Sequence, residues 1–518
     1  MNASSIHTTD VLIIGAGPTG LVLALWLTRL GVHVRIVDKT SEPGTTSRAL
    51  AVQARTLEFY GQIGLADAVV ERGRKVIAAN LWVAGRKAAR AVLGEMGAGL
   101  SPFPYALIFP QDEHERLLID RLAEAGVQVE RRTELLGFED AGGRVIARLQ
   151  RPDGASETCK AAYIAGCDGA HSTVREALAI GFPGGVYAHL FYVADVQASG
   201  ATMNGELHVA LDRTDFLAVF PLKTEGRARL IGTMREEAEH QPEHLSWNDV
   251  SKRVIEWIRI DVEHVNWFST YRVHHRVADH FRKDRAFLLG DAAHIHSPVG
   301  GQGMNTGIGD AVNLAWKLAA VLHRRADPSL LDSYEPERMG FARRLVATTD
   351  RAFTGVTSSG AIARLMRLHV VPLVIPRVFA IKTARRYMFR TVSQTVVNYR
   401  GSRLSEGRAG TVHGGDRLPW VKTDVNGIDT DNFTQQTTTL DWQAHVYGDA
   451  TAEIRVVCEE RKLSLHIFRW RPEMRRAGLR RDAVYLVRPD GYVGLADPDG
   501  SATTVRSYLD ARALTAAR

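Results

Sequence analysis

The chain has 518 residues, 45% of them hydrophobic. That is enough to bury several cores and excludes a lone small module, so two to four domains are expected. A formal charge of +7 mildly favours anionic small molecules, but spread over this length it is no nucleic-acid signature. Cys159, Cys167 and Cys458 stand far apart with no CxxC or CxxH spacing, so neither a disulfide framework nor a zinc site is expected, and a reducing cytoplasm fits.

The uncharged run Val11–Leu27 could be mistaken for a membrane helix. It follows Asp10, lacks a basic flank and is broken by Gly-Ala-Gly-Pro, so it reads as a buried strand turning into a buried helix. In "DVLIIGAGPTG" a β-branched strand, Val11 to Ile14, runs into Gly15-x-Gly17-x-x-Gly20, then an apolar helix stopping near Gly31, then a second strand ending at Asp38. Gly15 permits the tight turn, Gly17 lets main chain approach a pyrophosphate, and Gly20 lets helix and strand pack closely. Phosphates would lie at the helix start, beside Pro18 and Thr19, where free N–H groups and the helix dipole favour negative charge. Asp38, followed by Lys39, stands where a carboxylate accepts hydrogen bonds from a ribose. The turn by itself does not distinguish FAD from NAD(P).

"AAYIAGCDGAHSTVREALAI" repeats the design: an apolar strand, a turn at Gly166-x-Asp168-Gly169, and a short helix through Arg175 capped by Ser172 or Thr173. Between Gly181 and Arg276 short β-rich runs separated by polar turns predict a curved antiparallel sheet. Phe220 and Pro221 are its candidate wall-lining pair for an aromatic ligand. His208, His189, Tyr192 and Asp215 lie in the same sheet as candidates for proton transfer. The most specific segment is "LLGDAAHIHSPVGGQGMNTGIGDAVNLAWKL", Leu288 to Leu318. A strand delivers Asp291 to its carboxyl end, where ligands of open α/β sheets bind. Gly300, Gly301 and Gly303 remove side chains that would hold a planar ring off the backbone, and a helix opens at Met304-Asn305. A helix start aimed at a ring that gains negative charge on reduction suits a flavin. His294 and His296 have no third partner in view and are expected to shape the turn rather than hold a metal.

From Ser329 to Arg400 the pattern is helical, mixing apolar and basic residues around Pro372 and Pro376. A solvated basic face on helices packed against the body is expected, not a membrane-surface helix. A boundary falls near Asn398–Gly410. Beyond it, "IRVVCEE" reads as strand-like, and "DAVYLVRPDGYVGLA" as a hairpin turning at Pro-Asp-Gly.

Together "GAGPTG", "GCDGAHSTVR" and the Leu288–Leu318 segment resemble the FAD-dependent aromatic hydroxylases, flavoprotein monooxygenases with the p-hydroxybenzoate hydroxylase fold. "PGGVYAHLFYVADV" and "VRPDGYVGLA" resemble the phenol and polyketide subgroup that ends in a thioredoxin-like domain. The resemblance implies an α/β Rossmann-like FAD-binding domain in three pieces, residues 1–75, 100–180 and 277–350. It further implies a β-sheet substrate domain, 76–99 and 181–276, a helical connection, 351–400, and a thioredoxin-like domain without CxxC, 401–518, serving as support or as a homodimer contact. It implies FAD as cofactor, NAD(P)H as co-substrate with NADPH slightly favoured, and O₂ with an aromatic small molecule as substrates. No metal, nucleic acid or membrane partner is expected.

By the same resemblance Asp291 holds the ribityl side of FAD, Gly303, Met304 and Asn305 face the pyrimidine edge, and Gly301 also belongs to the cofactor site. Pro298 lies beside the ring, Arg48 near the flavin and substrate mouth, Gln111 on the FAD chain, and Asp168 under the pyrophosphate. The implied activity is hydroxylation of a phenolic or polycyclic ring through a flavin C4a-hydroperoxide. Baeyer–Villiger or epoxidising chemistry, a dehydrogenase or oxidase, and a flavin-binding scaffold remain open alternatives.

Overall fold

The run Val11–Ile14 is the inner end of a strand, Ile6–Ile14, at the middle of a parallel sheet. The computed structural model describes residues 6–44, 49–212, 216–234, 245–297, 299–357, 365, 369–425, 428–437 and 439–515. Arg48, Pro298 and Asp215 lie outside the described residues, as does the side chain of His189. In the first sheet Ala286–Leu288, Ser156–Gly166, Ile6–Ile14, Val34–Val37 and Val129–Glu130 run parallel, in that order. Val11, Leu12 and Ile13 are wholly buried, in a core that takes side chains from helices and from the ribbon Glu134–Asp140 and Val145–Gln150; a strand covered on both faces reads as continuously apolar rather than alternating.

The register of this sheet sets the site. Ile14 stands beside Val37 on one side and Gly166 on the other, and Gly166 stands beside Leu288. The three glycine motifs, more than a hundred residues apart in the chain, therefore leave one sheet edge side by side at its carboxyl end.

The second sheet has eight strands in the order His294–Ile295, Asp261–Val277, Gly184–Ser199, Arg227–Thr233, Phe216–Pro221, Leu207–Leu211, Ala78–Val83 and Arg86–Val92. It departs from the expected all-antiparallel pairing at one place, where Leu207–Leu211 runs parallel to Ala78–Val83. Those two strands come from separate excursions out of the first domain, so no hairpin dictates their relative direction. Its first strand, His294–Ile295, belongs to the third glycine motif, so that motif hangs between the two sheets.

The helical connection docks through Phe389, whose ring meets Gly97 so closely that a Cβ there would collide with it. Leu373 and Ile381 are more than half exposed, so the packing expected of these helices is only partial. The third sheet orders Val412–His413, Glu406–Ala409, Val493–Asp497, Val484–Val487, Gln443–Tyr447 and Ser464–Phe468. "IRVVCEE", read as strand-like, is instead helical, Ala452–Glu460. Thr451 caps the helix, and Ile454, Val457 and Cys458 are buried at i, i+3 and i+4, a helical face that the β-branched residues concealed.

The predicted Pro-Asp-Gly turn is present, and its flanking charges are buried against the first domain. Arg488 donates to Glu337 at 2.8 and 3.0 Å and to Asp490 at 2.6 and 3.0 Å. Glu337 also accepts from Lys317, Asn313 and Ser402, and Trp316 Nε1 donates to Asp490. Two cations and two carboxylates close a neutral set in which every charge has a partner, the condition under which buried ions are tolerated. Burial drives the Lys317 ammonium down to about 8, partly offset by Glu337. Glu337→Ala strands Lys317 and Arg488 without their shared carboxylate, so a loss of about 3–5 kcal/mol is expected. Urea unfolding measures it, and an unchanged midpoint would show the network contributes nothing.

Candidate active site

The dinucleotide turn is built from sterics. Gly15 adopts φ +100°, and a Cβ there would collide with the carbonyl of Cys167; one on Gly20 would collide with the Gly15 carbonyl. Gly17 is different, with no heavy atom within 4 Å of its Cβ position. Two glycines thus allow packing and one leaves open space, which is how a cradle for a pyrophosphate is built. Asp38 accepts from the Ala16 amide at 2.7 Å and from the Thr40 amide at 2.8 Å. It braces the turn from below, while Lys39 is exposed.

Thr19 joins the first motif to the third. Its Oγ1 occupies the space where Cβ atoms on Gly290 or Gly307 would lie. In the second motif Asp168 accepts from Ser172 Oγ at 2.6 Å and the Val174 amide at 3.1 Å. Burial raises its pKa against those bonds. Arg175 then reaches across to the third motif, donating to the Ala292 carbonyl at 3.0 Å and the Ala170 carbonyl at 2.8 Å, with Phe182 stacked 4.0 Å away.

Asp310, wholly buried, anchors the third motif and was not singled out by motif reading. It accepts from the Gly290 amide at 3.0 Å, His294 Nε2 at 2.7 Å and Arg338 Nε at 2.6 Å. Burial would raise its pKa, but the charges of Arg338 and His294 prevail and lower it. A carboxylate in the apolar helix "GIGDAVNLAWKL" was the available signal. Asp291, next to this anchored turn, is exposed on the 3₁₀ segment Gly290–Ala292.

Gly300 and Gly301 have φ +75° and +62°, and a Cβ on Gly301 would press on Ala51. The helix begins at Gly303, just before Met304-Asn305. The Asn305 side chain is fully engaged by protein: its Oδ1 accepts from the Gln53 amide and Thr56, and its Nδ2 donates to Ala51 and Gly301 carbonyls. Only its main-chain N–H is left to meet a ligand, beside Met304. Gln302 and Gln394 tie the loop to the helical connection. Gln111, opening the helix Gln111–Glu124, donates to Glu115, which also holds the Gly44 amide.

The second sheet presents two faces. Tyr192 packs with Phe268 and Trp247 on the face away from the first domain. His208 lies on that same face opposite Val219, accepting from Trp82 Nε1 at 3.1 Å, its pKa lowered by burial to about 4. Pro221 pairs with Ala228 of that core. Tyr192 and His208, the proton-transfer candidates, and Pro221, of the candidate wall-lining pair, therefore lie on the sheet face that packs away from the first domain, because side chains alternate along each strand. Phe220 is on the other face, packed with Leu50 and Ile108 of the first domain.

On Phe220's face the register defines three rungs. Phe216, Thr233, Phe191 and Tyr271 form the first; Ala218, Ile231, Val193 and Ser269 the second; Phe220, Arg229, Asp195 and Trp267 the third. The middle rung sets the small Ala218, Val193 and Ser269 beside Ile231 and carries no aromatic ring, whereas the rungs on either side do. In the third, Arg229 and Asp195 form a two-point ion pair, 2.7 Å for Nη2 to Oδ2.

The FAD binding domain family matches residues 8–349. This chain belongs to that family of FAD-dependent aromatic hydroxylases. Among relatives of this chain, 6-methylpretetramide 4-monooxygenase of Streptomyces rimosus is 36% identical, over 80% of this chain and 75% of its own. A flavin-dependent monooxygenase of Mycobacteroides abscessus is 31% identical over 96% and 99%. The solved OxyS anhydrotetracycline hydroxylase of Streptomyces rimosus superposes with a TM-score of 0.75 at 26% identity, covering 98% and 99% of the two chains. The glycine cradle at Gly17, the open loop at Gly300–Gly303 and the donor-rich helix start fit FAD. Among the described residues no cluster of three His, Cys, Asp or Glu could hold a metal, and no helix is long and apolar enough to cross a membrane.

Gly307→Ala drives a methyl into Thr19 Oγ1, and overpacking of this kind costs about 1–3 kcal/mol. The variant is expected to bind FAD more weakly in a fluorescence titration. Adding Thr19→Ala should restore most of the affinity; equal binding by all forms would disprove the Thr19 wedge.

Proposed function

We propose that this hydroxylase uses NAD(P)H and O₂ to hydroxylate a phenolic or polycyclic, polyketide-like aromatic compound. The observation that carries the proposal is the juxtaposition of one sheet edge bearing three glycine motifs with an aromatic-flanked face of the second sheet. The names of relatives acting on 6-methylpretetramide and anhydrotetracycline support the substrate class.

FAD, when bound, supplies electron transfer from NAD(P)H and activation of O₂. The chain's part is positional. Its helix start at Gly303 aims main-chain N–H dipoles where negative charge develops on the ring, and such preorganised donors need no rearrangement during reaction. The rungs of the second sheet offer a flat apolar trough, floored by Ala218 and Val193, for a planar substrate, and exclude water from the reacting face. Arg229, held by Asp195, places a positive edge beside the trough. Asp291 is proposed to hold the ribityl chain, Gln111 and Asp168 to support the FAD chain and pyrophosphate, and Arg48 and Pro298 to border the substrate.

The proposed domains are residues 1–75, 100–180 and 277–350 for FAD binding, 76–99 and 181–276 for the substrate sheet, 351–400 for the helical connection and 401–518 for the C-terminal module. In the C-terminal module the order Val493–Asp497, Val484–Val487, Gln443–Tyr447, Ser464–Phe468, with only the last pair parallel and helices at 452–460 and 502–510, supports a thioredoxin-like fold. Its only cysteine, Cys458, is buried, and burial raises its pKa to about 11, so the module acts as a clamp on the first domain rather than in redox chemistry.

A panel of phenols and polycyclic quinones scored for stimulated NADPH oxidation under ¹⁸O₂ tests the reaction. One ¹⁸O per product molecule with an intact ring is expected. Flavin reduction without ¹⁸O in the product would indicate a dehydrogenase or oxidase instead. Asp291→Ala is expected to purify largely free of FAD; a yellow variant would remove Asp291 from the ribityl chain. Ala218→Phe should keep FAD but lose polycyclic turnover, and unchanged kinetics would show that the trough is not the substrate site.

A further inference from the structure

We propose that His296 is a positioning residue for the cofactor, its Nε2 accepting a hydrogen bond from a donor on the flavin head of FAD. The inference rests on the cofactor reading of this loop and adds a side chain to a surface otherwise made of main chain.

Three observations converge. The first is placement. His296 follows the strand His294–Ile295, and its ring lies 3.8–3.9 Å from the Cβ position of Gly303, the first residue of the long helix. That helix face continues through Gly307, which meets Thr19 of the dinucleotide turn, and Asp310. His296 therefore borders the path from the pyrophosphate cradle to the helix start.

The second is the proton's location. His296 Nδ1 lies 2.8 Å from the Ser297 carbonyl. A carbonyl only accepts, so Nδ1 carries the hydrogen and Nε2 presents a lone pair. Burial lowers the ring's pKa to about 4, so this neutral tautomer holds at neutral pH.

The third is vacancy of function. Nε2 is buried and has no hydrogen-bond partner among the described residues. A buried acceptor left unmatched is unfavourable, and a ligand donor removes the cost.

The chemistry of the flavin head fits such an acceptor. Its pyrimidine edge carries carbonyl acceptors, which suit the N–H groups of the helix start, and the N3–H donor, which those groups cannot satisfy. Ribityl hydroxyls are the second source of a donor. A histidine lone pair beside a row of amides supplies the missing half of the pattern in either case.

Apoprotein is titrated with FAD, 3-methyl-FAD and 2′-deoxyribityl-FAD, in the wild type, His296→Ala and His296→Gln. The wild type is expected to discriminate about tenfold against one analogue, the gain typical of one buried hydrogen bond. Discrimination against the 3-methyl form assigns N3–H, and against the deoxy form a ribityl hydroxyl. His296→Ala should lose that discrimination and His296→Gln should keep part of it, since its carbonyl accepts at similar reach. Equal discrimination in wild type and His296→Ala overturns the proposal. Wild-type protein that binds no flavin overturns the cofactor reading itself, a separate result. Should the variants fail to fold, ¹⁵N NMR of wild-type histidines decides: FAD must shift the His296 Nε2 resonance, and an unmoved resonance overturns the inference.

Discussion

A single buried carboxylate organises the site. Asp310 sits inside an apolar helix and holds the Gly290 amide, His294 and Arg338 at once. Its charge is stabilised by two partners and a main-chain dipole, so removing any one leaves an ion in a dry interior. Because Gly290 begins the turn that carries Asp291, and His294 begins the strand that joins the second sheet, this carboxylate positions the loop from Gly290 to Gly303 against both sheets.

Around that point, glycine and threonine set the spacing of the three motifs. Thr19 fills the gap left by Gly290 and Gly307, and Cys167 main chain fills the gap left by Gly15. Main-chain contact replaces side-chain contact, so the tolerance at these positions is less than one methyl group. Arg175 and Asn305 extend the same logic with hydrogen bonds: one spans the second and third motifs, and the other closes the loop before the long helix. The result is a rigid edge of amides rather than a set of reactive side chains, suited to a protein whose cofactor carries the chemistry.

The same helix is gripped at its far end by the C-terminal module. Lys317 and Asn313 share Glu337 with Arg488, while Trp316 meets Asp490. The helix that starts at the candidate flavin site is thus braced by a buried charge network that joins it to the helix Tyr334–Thr357 and to the Arg488–Asp490 turn. Such a network is sensitive to loss of one member and selects one docking geometry, because a shifted interface would bury unpaired ions.

Much of the site was legible in the primary structure because it depends on local backbone demands. Gly15, Gly17, Gly20, Gly300 and Gly301 declare themselves by the absence of a Cβ, and a strand, turn and helix follow within a few residues; the parallel sheet and the third motif were read on that basis. What could not be read was parity and partnership. Whether Phe220 or Tyr192 faces the first domain depends on which side of a pleated sheet is covered, and one residue's shift reverses it. "IRVVCEE" fits a strand or a helix until its burial pattern is known. The roles of Asp310, Arg175 and Arg488 depend on partners 16 to 151 residues away. Sequence alone determined where the backbone must turn and approach a ligand; only the tertiary structure decided which buried charges meet and which sheet face looks at the first domain, because both are properties of surfaces brought together by folding.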